Sequence, residues 1–355
     1  MDTKKEKKNI LSNGAVQTLL ASLFCIILGL VVGYVVLLVI NPQGAGRAIT
    51  AILQNFLYFP RPEVALEYFG STLAKTAPLL MCTLSVLFAY KVGLFNIGAS
   101  GQYAVGAGFA LYFGIHYGAP WWLCLLLAML GGAALGAIAG ALKAYLNVNE
   151  VIACIMLNWI SLYAVNTVLT EVKESGTTYT LPLRTNNPNA LIPHLGLQHL
   201  FADNRYVTIA IPLAVIFAIL VWVVLDKTKL GYELKATGLS INAAKYAGLD
   251  AKKQIVIMMI IGALLGGFSG AVEVMGLKRR VYMEFVTNVG YESVAVALLA
   301  GGNPLGVIFS ALFFAALKAG GATMSIETGV ISSMNSIIIA MCMLFVIGVG
   351  VVDSR

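Results

Sequence analysis

The chain has 355 residues, of which 59% are hydrophobic and 11% charged, with a formal net charge of +7. Soluble globular domains carry about a quarter charged residues, so this composition excludes a water-soluble enzyme and describes an integral membrane protein. The positive charge does not point to a nucleic-acid partner, because Lys and Arg gather at the flanks of apolar runs, where they set topology and meet anionic lipid headgroups.

In chain order, the 1–18 tail carries Lys4, Lys5, Lys7 and Lys8 ahead of a first apolar span at about 19–40. No small-residue cleavage site follows it, so it reads as a retained helix rather than a signal peptide. Further spans are expected at about 73–90, 94–116, 120–146, 150–170, 206–225, 254–276, 291–301, 304–320 and 329–352. An all-α, polytopic helix bundle with about ten transmembrane segments, some broken or half-length, follows, as one membrane domain over 1–355. An even count places both termini on one side. With the lysine-rich tail inside, Lys91, Lys143 and the 226–253 loop are inside too, about thirteen basic residues against about ten outside. Two segments then lie outside. Residues 41–72 hold Pro42, Pro60, Pro62 and an apolar Phe56–Phe59 patch suited to the membrane interface; residues 171–205 are rich in Pro, Asn and Thr.

Two spans are not clean helices. The run 94–116 carries Gly98, Gly101, Gly106 and Gly108, and 291–301 is too short to cross alone. Such interruptions mark places where backbone groups turn toward a cavity rather than lipid. Elsewhere glycine falls every fourth residue, at Gly132, Gly136 and Gly140, at Gly262, Gly266 and Gly270, and at Gly29 and Gly33. These ladders read as helix-packing faces.

The 226–253 loop is polar, yet apolar spans flank it. Ser240 is placed to cap a short helix, Gly248 to take the left-handed position at its end, and Asp250 to cap the span that starts near Gln254. Ala243, Ala244 and Ala247 let another surface approach closely, although spacing alone fits an ordinary connector equally well.

Polar side chains in apolar spans are costly and face the protein interior or an aqueous path. Here they are Asn96, Ser100, Gln102, Asn158, Asn166 and Glu273. Asn158 suits either an interhelical hydrogen bond or a substrate contact. Glu273 suits vicinal hydroxyls such as those of a ribose, an ion pair with Lys278, Arg279 or Arg280, or external water. Phe95, Tyr103, Trp159 and Tyr163 are aromatic neighbours able to stack a base or simply to pack. There is no phosphate-cradling Gly-x-x-x-x-Gly-Lys-Ser/Thr loop, so any ATP-driven cycle would need an ATPase supplied by another polypeptide. Cys25, Cys82, Cys124, Cys154 and Cys342 sit in apolar runs without metal or redox spacing, and His116, His194 and His199 fall near span ends. No cofactor or metal bound by this chain is expected.

Four blocks carry a family resemblance: Gly93-Leu-Phe-Asn-Ile-Gly-Ala-Ser-Gly-Gln-Tyr103, Asn149-Glu-Val-Ile-Ala-Cys-Ile-Met-Leu-Asn-Trp159, the 229–249 segment, and 290–306, which ends in Ala-Gly-Gly-Asn-Pro-Leu-Gly306. From about Thr72 onward the chain resembles nucleoside-type permeases of ATP-binding cassette (ABC) importers, grouped with branched-chain amino acid and simple-sugar permeases. The resemblance implies a multi-pass protein of the bacterial plasma membrane that carries nucleosides by alternating access. Its partners would be an ATP-binding cassette ATPase, a second related permease (a heterodimer or a homodimer), and an extracytoplasmic substrate-binding lipoprotein that lands on the 41–72 and 171–205 segments. Glu233, Ala236, Gly238, Ala243, Ala244, Ala247 and Gly248 would dock in the ATPase. Phe95, Asn96, Ser100, Gln102, Asn158, Trp159, Asn166 and Glu273 would line the substrate path. Relatives often have an acidic residue where this chain has Ser100, which removes any role for a carboxylate there. The alternatives are the same machinery carrying a simple sugar such as a pentose, or an ion-coupled transporter or channel using Glu273, Glu292 or Lys318.

Overall fold

The computed structural model describes residues 14–54, 61–283, 288–329, 334–342 and 344. The Lys4–Lys8 tail, the Phe56–Phe59 patch and the end of the expected 329–352 span lie outside those residues. The described residues are helical apart from connecting turns and two isolated bridges, Lys173 with Thr180 and Tyr179 with Tyr282. The helices are α1 (Gly14–Ile40), α2 (Ala45–Gln54), α3 (Pro62–Lys91), α4 (Ala99–His116), α5 (Trp121–Leu146), α6 (Glu150–Leu169), α7 (Leu183–Asn186), α8 (Ala210–Lys227), α9 (Lys229–Leu239), α10 (Ile241–Tyr246), α11 (Ala251–Val272), α12 (Val289–Leu299) and α13 (Gly306–Thr328). Six of the described helices are long and apolar enough to cross a membrane: α3, α5, α6, α8, α11 with its extension, and α13. At about 1.5 Å per residue, the eleven residues of α12 reach roughly half way across a bilayer core.

Several boundaries differ from the hydropathy reading, each for a local reason. The 73–90 span begins at Pro62, where a proline in the first turn loses no helical hydrogen bond. Glu63, Glu67 and Lys75 lower the hydropathy of that stretch without interrupting the helix. Pro78 then sits inside α3, its carbonyl accepting from the Ser269 hydroxyl at 2.6 Å. The 94–116 span starts only at Ala99, after a turn in which Gly93 has φ +79°. Between α5 and α6, Asn147 ends one helix in the left-handed conformation (φ 51°), and Asn149 caps the next by accepting from Val151 and Ile152.

The chain divides into two compact units. The first comprises Met1–Asn55 and Leu317–Arg355, the second Phe56–Ala316. In the first, glycines bring helices together at the places the ladder spacing implies. A Cβ on Gly29 would meet the Cys342 backbone, and one on Gly33 would meet Ile338. The Asn335 amide donates to the Leu317 carbonyl at 3.2 Å.

In the second unit α11 is the central helix, packed against α3, α4 and α5. A Cβ on Gly132 or Gly136 of α5 would overlap the Ala263 and Met259 carbonyls of α11, and one on Gly267 would overlap the Ala128 carbonyl of α5. On another side of α11, Gly270 faces the Tyr103 carbonyl of α4, and Gly106 of α4 faces the Gly267 carbonyl. At these five glycines backbone lies against backbone, the contact that lets helices associate where lipid removes the hydrophobic drive.

Beyond Val272 the helix widens into a π-turn over Glu273–Lys278. Residues five apart lie roughly 140° apart around an α-helix of 3.6 residues per turn, so Glu273 and Lys278 would not meet there. The wider turn brings them together, and they form an ion pair at 3.0 Å. We expect Gly136→Leu to overpack the α5–α11 contact by about 1–3 kcal/mol or more, seen as a lower melting temperature and yield in detergent. Gly46→Ala, with no atom within 4 Å of the added carbon, should leave both unchanged.

Candidate functional site

The polar residues singled out in the spans form two groups. Asn96, Gln102 and Ser85 make one fully buried cluster where the chain turns from α3 into α4. The Asn96 amide donates to Ser85 Oγ at 3.0 Å and to Gln102 Oε1 at 3.1 Å, and Gln102 Nε2 donates back to Asn96 Oδ1 at 3.0 Å. The Ser85 hydroxyl donates to Gln102 Oε1 at 3.3 Å. The two amides thus bond reciprocally, which is how a buried amide avoids the cost of an unmet donor or acceptor. Ser85 was not legible as a partner, since one serine in an apolar helix carries no spacing signal.

The room for this cluster comes from glycine on α11. A Cβ on Gly266 would press on Gln102 Oε1 and Cβ at 2.8 and 2.9 Å, and one on Gly262 would lie 3.2 Å from the Ser85 carbonyl. The 262/266/270 ladder is therefore a packing face whose neighbours include polar side chains.

Asn158 of α6 holds the beginning of α4 from the other side. It accepts from the Gly101 N–H at 2.8 Å and donates to the Ile97 carbonyl at 3.0 Å. Both are backbone groups at a helix start, where N–H donors have no intrahelical partner. Gly101 has no side chain to block this approach. Ser161, one turn further along α6, is buried with its hydroxyl unpartnered beside Gly101. Ser100 lies under α12, where a Cβ on Gly290 would meet its backbone.

The remaining residues expected on the path are elsewhere. Phe95 is half-buried in the 92–98 turn and Asn166 is half-buried two turns beyond Asn158. Trp159 (50% exposed) lies on the outer face of α6 and stacks on Tyr163 (63% exposed), with ring centroids 6.2 Å apart. Tyr103 is buried. Glu273 is taken up by Lys278 at the far end of α11, and no hydrogen bond among the described residues joins it to the amide cluster. The residues grouped by type therefore separate into a buried amide lock, an outward aromatic face and a terminal ion pair.

The polar 229–250 segment is two helices rather than one. Thr228 caps α9 by accepting from Gly231 N–H at 3.2 Å, Ser240 caps α10 by accepting from Ala243 N–H at 3.2 Å, and Asp250 caps α11 by accepting from Lys253 N–H at 3.2 Å. Gly248 ends α10 at φ +79°, and the Leu249 N–H closes on the Ala244 carbonyl at 2.9 Å. The expected caps are all in place. Ala243, Ala247 and Gly248 point to solvent with Tyr232, Leu239 (89% exposed) and Tyr246 (95% exposed), whereas Ala244 is buried and Ala236 half-buried. Glu233 turns inward, accepting from Gln254 Nε2 at 2.7 Å and facing Lys229 at 3.6 Å.

Gly238 also turns inward. A Cβ there would overlap the Val92 carbonyl, and one on Gly93 would lie 2.7 Å from the Gly238 carbonyl. The two glycines interlock α9 with the turn that leads into Asn96. Gly93 was legible as a motif residue, but its partner in α9, the sixth helix after it, was not.

A family profile described as the permease component of the branched-chain amino acid transport system matches residues 68–347. The chain is 33% identical over 333 residues to the guanosine ABC transporter permease protein NupP of Bacillus subtilis, 92% of each chain. It is 33% identical over 264 residues to the nucleoside ABC transporter permease protein NupB of Lactococcus lactis, 71% of each. It is 29% identical over 298 residues to the glucose ABC transporter permease protein TsgB13 of Haloferax volcanii, 80% of this chain and 78% of that one. No solved structure matches the chain significantly.

Asn158→Leu should leave the Gly101 N–H and the Ile97 carbonyl unmet, at about 1–3 kcal/mol for each buried group. We expect a lower melting temperature of the purified protein even without substrate. An unchanged melting temperature with lost uptake would instead make Asn158 a substrate contact alone.

Proposed function

Since the chain belongs to the family of permease components of the branched-chain amino acid transport system, we propose that it is the membrane subunit of an ATP-driven importer and lines one side of a nucleoside path. Its relatives are permease subunits rather than enzymes, and the energy comes from a separate ATP-binding cassette ATPase. About ten crossings, with both ends of the chain and the 229–250 segment on the cytoplasmic side of a bacterial plasma membrane, complete this reading.

The observation that carries it is the 229–250 pair of helices. Its exposed side offers Tyr232, Leu239, Ala243, Tyr246, Ala247 and Gly248, large apolar groups set among small ones, which suits a groove in a partner protein. Its inner side is keyed to the 92–98 turn through Gly238 and Gly93. Motion of the ATPase then reaches Asn96, Gln102 and Asn158 through backbone contact, and tilts the start of α4. Glu233, Ala236, Gly238 and Ala244 hold this unit together, while Ala243, Ala247 and Gly248 meet the ATPase.

The outer face of α6, with Met156, Trp159, Ile160 and Tyr163, fits a second permease across the path. The stacked Trp159–Tyr163 pair gives a nucleobase an aromatic surface, and base stacking tolerates many bases. Phe95, Ser100 and Asn166 flank the start of α4 and the same helix, where the path would widen. An external binding protein supplies the nucleoside. A second reading, sugar transport, has one observation in its favour, the glucose permease among the relatives. The aromatic face favours the nucleoside, since a sugar needs hydrogen-bonding groups and the amides of this chain are bonded to one another.

Proteoliposomes holding the assembled complex should take up labelled guanosine with ATP, and excess unlabelled glucose should leave that uptake unchanged. Ala247→Trp should abolish co-purification of the ATPase. Gly238→Ala should keep the ATPase bound and hydrolysing ATP but lower uptake tenfold or more. If both variants behave as wild type, the segment is only a connector.

A further inference from the structure

At the far end of α11 from the 229–250 segment, the π-turn closes on Arg279, whose backbone has φ +60°. That left-handed conformation suits glycine and is disfavoured for a long side chain, so an arginine held there directs attention to its guanidinium. The Arg279 backbone is well used: its carbonyl accepts from Leu183 N–H at 2.9 Å, which ties the π-turn to the 171–205 segment. Its guanidinium donates to the Arg205 carbonyl at 2.8 Å and lies over the Tyr206 ring at 5.6 Å. The Arg205 guanidinium lies over the same ring at 5.1 Å. Arg279 Nε is buried and has no acceptor.

Charge at this end is unbalanced in a specific way. Every acidic side chain of 171–205 and 273–280 is already engaged: Glu171 by the Tyr112 hydroxyl, Glu174 by Arg280, Asp203 by His199 and Glu273 by Lys278. Among the described residues no carboxylate lies within ion-pair distance of Arg184, Arg205 or Arg279. Burial lowers the pKa of Arg279, and the neighbouring Arg184 and Arg205 lower it further against the opposing effect of Tyr206. Arg205 and Arg279 share one aromatic ring, Arg184 is near enough to repel Arg279, and Arg184 and Arg205 are solvent-exposed and able to receive an incoming group. Guanidinium matches a carboxylate through paired N–H donors, better than an ammonium does.

We propose that Arg205 and Arg279, gathered on Tyr206, form together with the neighbouring Arg184 a docking site for carboxylate side chains of the solute-binding protein that delivers substrate to this permease. The assignment rests on the importer reading, which places this end of α11 outside the cell. Charge complementarity selects the occupant: the acidic side chains of 171–205 and 273–280 are already engaged, and the site faces the side from which substrate arrives. Pairing at an exposed site acts mainly on the rate of encounter and is screened by salt.

The test uses the full transporter in nanodiscs and its fluorescently labelled binding protein. Arg279→Gly removes the guanidinium and leaves a residue at ease at φ +60°, so the fold should keep its melting temperature. Arg184→Gln combined with Arg205→Gln removes the two exposed charges. Each variant should weaken binding-protein association tenfold or more at low salt and flatten its dependence on salt. Basal ATP hydrolysis should be unchanged, with stimulation by the binding protein lost. Association within twofold of wild type in both variants overturns the proposal. So does a result in which the variants lose only bound phosphatidylglycerol, seen by native mass spectrometry, because the cluster then holds a lipid headgroup. A wild-type complex without ATP-driven uptake of guanosine would sink the importer reading itself, and the docking site with it.

Discussion

Helices in hydrocarbon gain nothing from hiding apolar side chains, so they hold together only as closely as their backbones can approach. In this chain that constraint falls on α11. Glycines on α4, α5 and α11 remove side chains wherever carbonyls of a neighbouring helix come near, at Gly106, Gly132, Gly136, Gly267 and Gly270. The same helix clears the space for the amide cluster through Gly262 and Gly266. Close packing and buried polarity are thus two results of one choice of residue along α11.

The amide cluster needs that enclosure. Asn96 and Gln102 satisfy each other, and Asn158 satisfies two backbone groups at the start of α4. Their polarity is spent on making a broken helix stable inside a membrane, where each unmet group would cost several kcal/mol. The break matters because α9 touches the turn just before it, glycine to glycine, as well as packing on α8 and α11. Two small residues in contact leave no side chain to rearrange at this joint, and the amides keep the helix start intact.

Much of this was legible in sequence and some was not, for physical reasons. Caps are local, so Ser240, Gly248 and Asp250 could be assigned from a few neighbouring residues. Ladders are periodic, so Gly132–Gly140 and Gly262–Gly270 announced packing faces. Partners distant in sequence left no such trace: nothing in the sequence tied Gly238 to Gly93, or Ser85 to Asn96. Hydropathy misplaced the start of α3, because a helix can run on past its apolar stretch into Glu63 and Glu67. Residue type left Glu273 and Trp159 open among several partners, since cost explains why a polar group is kept without saying what it touches.

The π-turn at Glu273–Lys278 has a meaning for how the chain can change in length. A wide turn takes up one residue more than the α-helix it extends. Loss of one residue there would leave Ala251–Val272 in phase with α4 and α5. With one residue fewer between them, Glu273 and the lysine would stand four apart, roughly 40° around an ordinary α-helix, so their ion pair would survive in a turn of normal width and the chain beyond would keep its heading. The turn is thus a joint at which one residue can be gained or lost without disturbing the packed face of Ala251–Val272.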